Sequence, residues 1–308
     1  MSRAVVFAYH NVGVRCLETL LHRGVEVPLV VTHRDNPEEN IWFDSVAALC
    51  DRHGIVHIEP DDPNTDEVLE RVAACAPEFL FSFYYRHLLG EQMLKLAPRG
   101  AFNLHGSLLP KYRGRAPVNW AVLHGERETG ATLHEMTVKP DAGRIVDQEA
   151  VPIGEDDTAK EVFDKVTMAA EQVLRRALPG LLAGTAALKA QDLSQGAYFG
   201  GRKPEDGRID WSQSMHQIHN LVRAVAPPYP GAFTDVPGHG RLRLLRTRKA
   251  FEGLGEEHPA LVVQDDKLYL LARDGGLRVL EAELDGRPLD ARNFQARFGE
   301  QLILVQTQ

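Results

Sequence analysis

The chain has 308 residues, of which 44% are hydrophobic and 25% charged, enough apolar material to bury the cores of two domains and too much for a disordered or fibrous protein. Its 43 acidic and 35 basic side chains leave a formal net charge of −8, so no broad positive field gathers phosphate backbones. Three cysteines, Cys16, Cys50 and Cys75, with no Cys-x-x-Cys pair and no His-Glu-x-x-His helix, argue against a disulfide framework and a metal site and for reduced thiols in a cytoplasmic protein.

The apolar run Ala4 to Tyr9 is too short for a signal-peptide core or a membrane span, and it reads as a buried strand. A helix is expected from Val14 to His22, where Val14, Leu17, Leu20 and Leu21 share a face. The alternation repeats: a strand over Val27 to Thr32, a helix over Phe43 to His53, a strand over Ile55 to Ile58, a helix over Thr65 to Ala74 and a strand over Phe79 to Phe83. Strands apolar throughout, alternating with amphipathic helices, predict an α/β fold with a doubly wound, mostly parallel sheet. Such sheets bind ligands beyond the carboxyl ends of their strands. After the first strand there is one glycine, Gly13, rather than Gly-x-Gly-x-x-Gly, and no phosphate loop occurs, so neither a dinucleotide nor a P-loop nucleotide is indicated.

Thr158 and Glu161 have capping-box spacing and open a helix expected to run to about Leu178. A turn-rich stretch from Lys203 to Gly207 and a helix over Ser212 to Val225 follow. Short strands are then expected over Ala232 to Val236, Leu242 to Arg248, Ala260 to Gln264, Leu268 to Ala272 and Leu277 to Leu284. This pattern predicts a small five-stranded β-barrel, with a catalytic domain over residues 1–204 and a β domain over 205–308.

The chemistry concentrates between Gly100 and Pro117. Gly100 to Leu104 reads as a strand on which Asn103 and His105, two apart, point to one side. A carboxamide can hold a developing oxyanion and an imidazole can move a proton near neutral pH, which suits acyl transfer without a covalent intermediate. The same pair could cap the strand end by bonding backbone groups, and the pattern leaves both readings open. Asp141 lies in a turn between Ala131 to Val138 and Ile145 to Val151; brought against His105, it would orient the ring and favour its protonated form. His216 and His219 are neighbours on one helix face without a third ligand, which reads as a solvated face. The cations Arg241, Arg243, Arg246, Arg248 and Lys249 also read as a solvated strand face, because residues 205–308 balance 15 acidic against 13 basic side chains. Asp61, Asp62, Glu256 and Glu257 read as exposed loop charge.

Asn103-Leu-His105, Ser107-Leu-Leu-Pro-Lys-Tyr-Arg-Gly-Arg-Ala-Pro117, Trp120 and Asp141-Ala-Gly143, in that order, resemble the signature of the 10-formyltetrahydrofolate-dependent formyltransferases. Within that family, Val6-Phe-Ala-Tyr-His10, Thr32-His-Arg-Asp-Asn-Pro37, Phe81-Ser-Phe-Tyr-Tyr-Arg-His-Leu88, Val222-Arg-Ala-Val-Ala226 and Pro230-Gly-Ala-Phe233 are most similar to the branch that formylates UDP-4-amino-4-deoxy-L-arabinose, a step in lipid A modification and polymyxin resistance. The likeness spans roughly residues 4 to 236. It implies an oligonucleotide/oligosaccharide-binding-like C-terminal barrel and 10-formyltetrahydrofolate as co-substrate, without a metal. It also implies Asn103, His105 and Asp141 as catalytic residues. The folate contacts it implies are His87, Leu88 and Leu89 together with Thr137, Val138, Lys139, Pro140 and Asp141. Arg115 matches a ligand-contacting arginine, and Tyr9, His10 and Asn11 would line the acceptor side. Members of this branch carry a dehydrogenase domain after the transferase domain. With the sequence ending at Gln308, that activity is not expected from this chain, and a separate dehydrogenase chain is a conceivable partner.

The tRNA-formylating members carry a basic loop after the second strand. Here the matching stretch, residues 32–44, has one arginine and one histidine against four acidic residues, Asp35, Glu38, Glu39 and Asp44, which repels RNA rather than neutralising it. A UDP-amino sugar is therefore the expected acceptor, with no nucleic-acid partner and no membrane insertion. Formylation of initiator methionyl-tRNA is the alternative, resting on the strand from Arg241 to Lys249. A non-catalytic folate-binding regulatory module is the alternative of another class.

Overall fold

Continuous apolar runs produce strands buried on both faces, and the first half of the chain is built from them. In the computed structural model, which describes residues 2–253, 258–272 and 274–304, β1 (Arg3–Ala8) and β4 (Phe79–Phe83) are shielded along almost their whole length. They pair in parallel, Val6 opposite Phe81. The other strands of this sheet are β2 (Glu26–Val31), β3 (His57–Ile58), β5 (Ala101–His105), β7 (Glu128–Glu135) and β8 (Ile145–Pro152). Their order is β3-β2-β1-β4-β5-β7-β8; β1 to β5 run parallel and β7 runs antiparallel to β5. The order reverses between β1 and β4, the place where a doubly wound sheet opens a crevice beyond its strand ends.

Helices α1 (His10–His22), α2 (Val46–His53), α3 (Asp66–Ala74) and α4 (Glu91–Leu94) connect the strands. Ser45 and Thr65 cap α2 and α3 by accepting the backbone N–H of Ala48 and Val68, which ends the irregular stretch before each. Helix α1 starts at His10 rather than at Val14, because Tyr9, still extended, serves as its N-cap. β6 (Arg113–Gly114) pairs in parallel with β9 (Tyr198–Phe199) as a two-stranded ribbon. Helix α5 (Pro117–Leu123) follows β6 and helix α6 (Ala159–Ala183) follows β8. The Thr158–Glu161 capping box forms. Helix α6 continues through Pro179 to Ala183, past the end expected near Leu178; the proline removes one backbone donor but does not end the helix.

Tertiary contacts divide the chain into two units. One comprises Met1–Pro117, Glu128–Val151 and Phe163–Gly200; the other comprises Val118–Arg127, Pro152–Val162 and Gly201–Gln308. The second unit holds α7 (Met215–Ala224), β10 (Ala232–Val236), β11 (Gly240–Glu252), β12 (Ala260–Gln264), β13 (Lys267–Ala272), β14 (Gly275–Leu284), β15 (Arg287–Pro288), α8 (Ala291–Phe298) and β16 (Gln301–Ile303). Its antiparallel sheet follows the path β10-β11-β14-β13-β12-β16, a curled half-barrel with one more strand in its path than the five expected. The extra strand, β16, is three residues long and below the length at which alternation can be read. Ile218, Val222, Leu242, Leu244, Leu270 and Phe294 form the centre of its core. Glu256 and Glu257 lie outside the described residues.

Candidate active site

β5 lies between β4 and β7, and its carboxyl end presents Asn103 and His105 on one face. His105 is 7% exposed. Its Nε2 lies 2.8 Å from the carbonyl oxygen of Tyr112. A carbonyl only accepts, so Nε2 carries the hydrogen and the lone pair of the neutral ring falls on Nδ1. Nδ1 faces Asp141 Oδ1 at 3.6 Å, too far for a hydrogen bond, so the carboxylate attracts the ring only when Nδ1 holds a proton. Strand alternation predicted that Asn103 and His105 would meet in one space, and the chain brings Asp141 to them from 36 positions beyond His105.

The Asp141 turn is fixed at several points. Its Oδ2 accepts the Gly114 N–H at 2.8 Å, and the Gln191 side chain donates to the carbonyls of Asp141 and Gly143. Asp141 itself has φ 53°, a left-handed conformation that aspartate tolerates better than most residues. Gly143 is required by close approach, since a Cβ there would collide with the carbonyl of Glu135. Burial alone would raise the Asp141 carboxyl, but the facing His105 and the Gly114 N–H outweigh it and hold the group well below the usual carboxylate range.

Asn103 Nδ2 lies 3.1 Å from His134 Nε2. His134, 1% exposed, stands opposite Asn103 in the β5–β7 register. The sequence reading passed over this residue; a histidine next to Leu133 within the strand Glu128–Glu135 was the available signal. The segment from Ser107 to Gly114 is also pinned. Ser107 Oγ donates to the Lys111 carbonyl at 2.6 Å, Thr132 Oγ1 donates to the Ser107 carbonyl at 2.6 Å, and Gln148 Nε2 donates to the Leu109 carbonyl and to Thr132 Oγ1. Gly114, at φ 99°, has no room for a Cβ beside the Phe199 carbonyl and the Tyr198 ring.

A second cluster closes the ends of β1, β2 and β4. Tyr9 donates its hydroxyl to Asp35 at 2.7 Å, and its ring lies under the Arg86 guanidinium; burial, then the bond to Asp35, pushes its ionisation up. His10 is buried against Trp42, Phe43 and Phe163. Asn11 Oδ1 accepts the Asp44 N–H at 2.7 Å. These three residues thus anchor the stretch from 32 to 45. Arg86 forms a two-pronged pair with Glu39 at 2.9 Å, and its backbone N–H donates to His33 Nε2 at 2.9 Å. His33 stacks on Tyr85 with ring centres 4.1 Å apart. Burial, then His87 and Arg86, pull His33 down to about 4.

His87 and Leu88 are exposed, and Leu89 packs partly against the core. Asn64 clamps this loop, donating to the Leu88 carbonyl at 3.0 Å and accepting the Gly90 N–H at 2.6 Å. Thr137 Oγ1 donates to the Lys139 carbonyl; Val138 and Lys139 are exposed and Pro140 is half-buried. Leu88 and Val138 are two-thirds exposed, at 66% and 67%, which leaves an apolar side chain on each of the two loops. Arg115 is exposed, with its backbone N–H bonded to the Phe199 carbonyl. Among the described residues no group of three or more histidine, cysteine or acidic side chains could hold a metal ion, and no helix is long and apolar enough to cross a membrane.

The second unit corrects one expectation. His216 is exposed, but His219 is fully buried. His219 Nδ1 accepts from Thr247 Oγ1 and its Nε2 donates to the Glu155 carbonyl, so the two histidines do not share a solvated face. On β11, Arg241 pairs with Asp235, Arg246 with Glu161 and Arg248 with Asp156, so acidic neighbours offset much of the strand's positive charge.

The formyl transferase family model matches residues 4–178, and the model of the formyl transferase C-terminal domain matches residues 202–299. Among similar solved structures is an N-formyltransferase from Helicobacter canadensis in complex with folinic acid and dTDP-3-aminofucose, at 19% identity, covering 91% of this chain and 99% of that one, with a TM-score of 0.69. Another is WlaRD, a sugar 3N-formyl transferase in the presence of dTDP and 5-N-formyl-THF, at 20% identity, 93% and 99% coverage and a TM-score of 0.70. HypX from Aquifex aeolicus in complex with tetrahydrofolic acid matches at 18% identity and a TM-score of 0.64, over 96% of this chain and 47% of that one.

Proposed function

The chain belongs to the formyl transferase family, and from that premise we propose that it moves a formyl group from 10-formyltetrahydrofolate to the amine of a nucleotide-linked amino sugar, UDP-4-amino-4-deoxy-L-arabinose. The observation that carries the reading is the convergence of Asn103, His105 and Asp141 with the tautomer of His105 set by the Tyr112 carbonyl. The sugar acceptor is supported by the local sequence likeness, by the acidic stretch from 32 to 44 and by the paired cations of β11, none of which suits an RNA backbone.

As the sugar amine adds to the formyl carbon, Asn103 donates an N–H to the oxygen that gains charge. His105 Nδ1 takes the proton the amine must lose and returns one to the folate nitrogen as its bond to carbon breaks, so a free amine and a formamide replace the starting pair. Asp141 stabilises the imidazolium during that interval. The donor fits the site: the loops at 87–89 and 137–140 offer backbone polar groups beside the exposed Leu88 and Val138, a surface suited to a flat heteroaromatic ring with polar edges. The Arg115 guanidinium has no ion-pair partner among the described residues and suits an anionic group of either substrate.

The test offers 10-formyltetrahydrofolate with a panel of UDP- and dTDP-linked amino sugars and with charged initiator tRNA, and follows product by mass. A formamido sugar from the UDP-arabinose amine is expected, at a rate that changes little with salt. Product from the tRNA alone, falling steeply with salt, would refute the acceptor assignment. Folate binding without transfer to any acceptor would refute catalysis.

A further inference from the structure

We propose that His134 is a positioning residue that fixes which end of the Asn103 carboxamide faces the reaction, an inference that rests on the formyl-transfer reading of this site. His134 is buried on β7 directly opposite Asn103. Its Nδ1 lies 2.9 Å from the Glu135 carbonyl oxygen. That oxygen cannot donate, so Nδ1 carries the hydrogen and Nε2 of the neutral ring is an acceptor. The partner that satisfies an acceptor is the NH2 end of Asn103, at 3.1 Å. One N–H of Asn103 is thereby spent on His134, and the other is directed away from it, on the face shared with His105, where an oxyanion needs a donor.

An unconstrained carboxamide has two orientations of similar shape, and only one of them donates. His134 removes the ambiguity. Asp141 Oδ1 also approaches His134 Nε2, at 3.5 Å. A protonated Nε2 would donate to that carboxylate and would require Asn103 to turn its carbonyl toward the ring. With the ring neutral, Nε2 accepts from Asn103 over the shorter of the two contacts. A cross-strand histidine thus acts on the reaction through a side chain it holds, without touching the substrates.

The test compares wild type with His134→Leu, which removes the acceptor, and His134→Gln, whose side-chain oxygen can accept from Asn103 near the position of Nε2. Formyl transfer by wild type is measured first; its absence would remove the formyl-transfer reading itself. Given transfer, His134→Leu is expected to lower kcat by about 10- to 100-fold with little change in KM for either substrate, and His134→Gln to recover most of the loss. Long-range 1H–15N spectra of the wild-type protein should show Nδ1 of His134 protonated and Nε2 bare. A folded Leu variant with wild-type kcat, a folded Gln variant as impaired as the Leu variant, or the opposite tautomer would overturn the proposal. Should the Leu variant fail to fold, the Gln variant and the tautomer still decide.

Discussion

Replacing Asp141 by asparagine isolates one electrostatic contribution at the site. Asparagine keeps the shape of the side chain and an oxygen that can still accept the Gly114 N–H, so the turn held by Gly114 and Gln191 survives. What disappears is a negative charge 3.6 Å from His105 Nδ1. Two unit charges at that separation attract by about 5 kcal/mol at an effective permittivity of about 20 and by about 2 kcal/mol at about 40. Both side chains are shielded, at 7% and 13% exposed, so the lower permittivity is the closer description. If the imidazolium forms as the amine adds, kcat should fall by about 10³- to 10⁴-fold. The assay is single-turnover formation of the formylated sugar at saturating donor, with circular dichroism and a thermal melt confirming that the variant is folded. A folded Asp141→Asn protein within a factor of two or so of wild type would refute the reasoning and leave Asp141 as a turn residue.

His105→Ala and Asn103→Ala should each lower turnover by about two orders of magnitude while the melting temperature stays near that of wild type; steady-state rates and melts check this. Gly143→Ala pushes a methyl group into the Glu135 carbonyl, so the turn must shift, and activity and thermal stability should fall together. His33 has a folded value depressed to about 4 from about 6.5. Its contribution to stability is therefore complete above about pH 6.5 and is lost as pH falls toward 4; His33→Gln should flatten the melting temperature over that window, and an unchanged pH profile would count against the neutral acceptor role. The depressed Asp141 carboxyl contributes stability that is present above about pH 4 and lost as pH drops through its folded value, so Asp141→Asn should be less sensitive to acid below pH 4 in urea titrations.

Much of the frame was readable because its signals are local. The strands at Phe79–Phe83, Ala232–Val236 and Ala260–Gln264 end where expected, each with a proline, Pro77, Pro230 or Pro259, one or two positions before it. Asn103 and His105 were found through the two-residue period of a strand, which needs no tertiary information. What was missed depends on pairing. His134 gains its meaning from the β5–β7 register, which no residue of β5 reveals, and the Tyr112 carbonyl and Gly114 N–H are backbone groups that every sequence possesses. The helical periodicity that put His216 beside His219 was correct as spacing but silent on burial: Thr247 and Glu155 bond to His219 and complete its buried surroundings. His10 was placed before the first helix because its aromatic neighbours, Trp42, Phe43 and Phe163, come from distant segments.

The short bend from Ser107 to Gly114 grips two reactive side chains at once: one backbone oxygen, on Tyr112, steadies the imidazole, and one backbone hydrogen, on Gly114, steadies the carboxylate. In the proposed mechanism, base and counter-ion therefore hang from the same bracket. A jolt to that bracket carries both along together, and the gap between them, on which proton traffic depends, is buffered against the tremor of the chain.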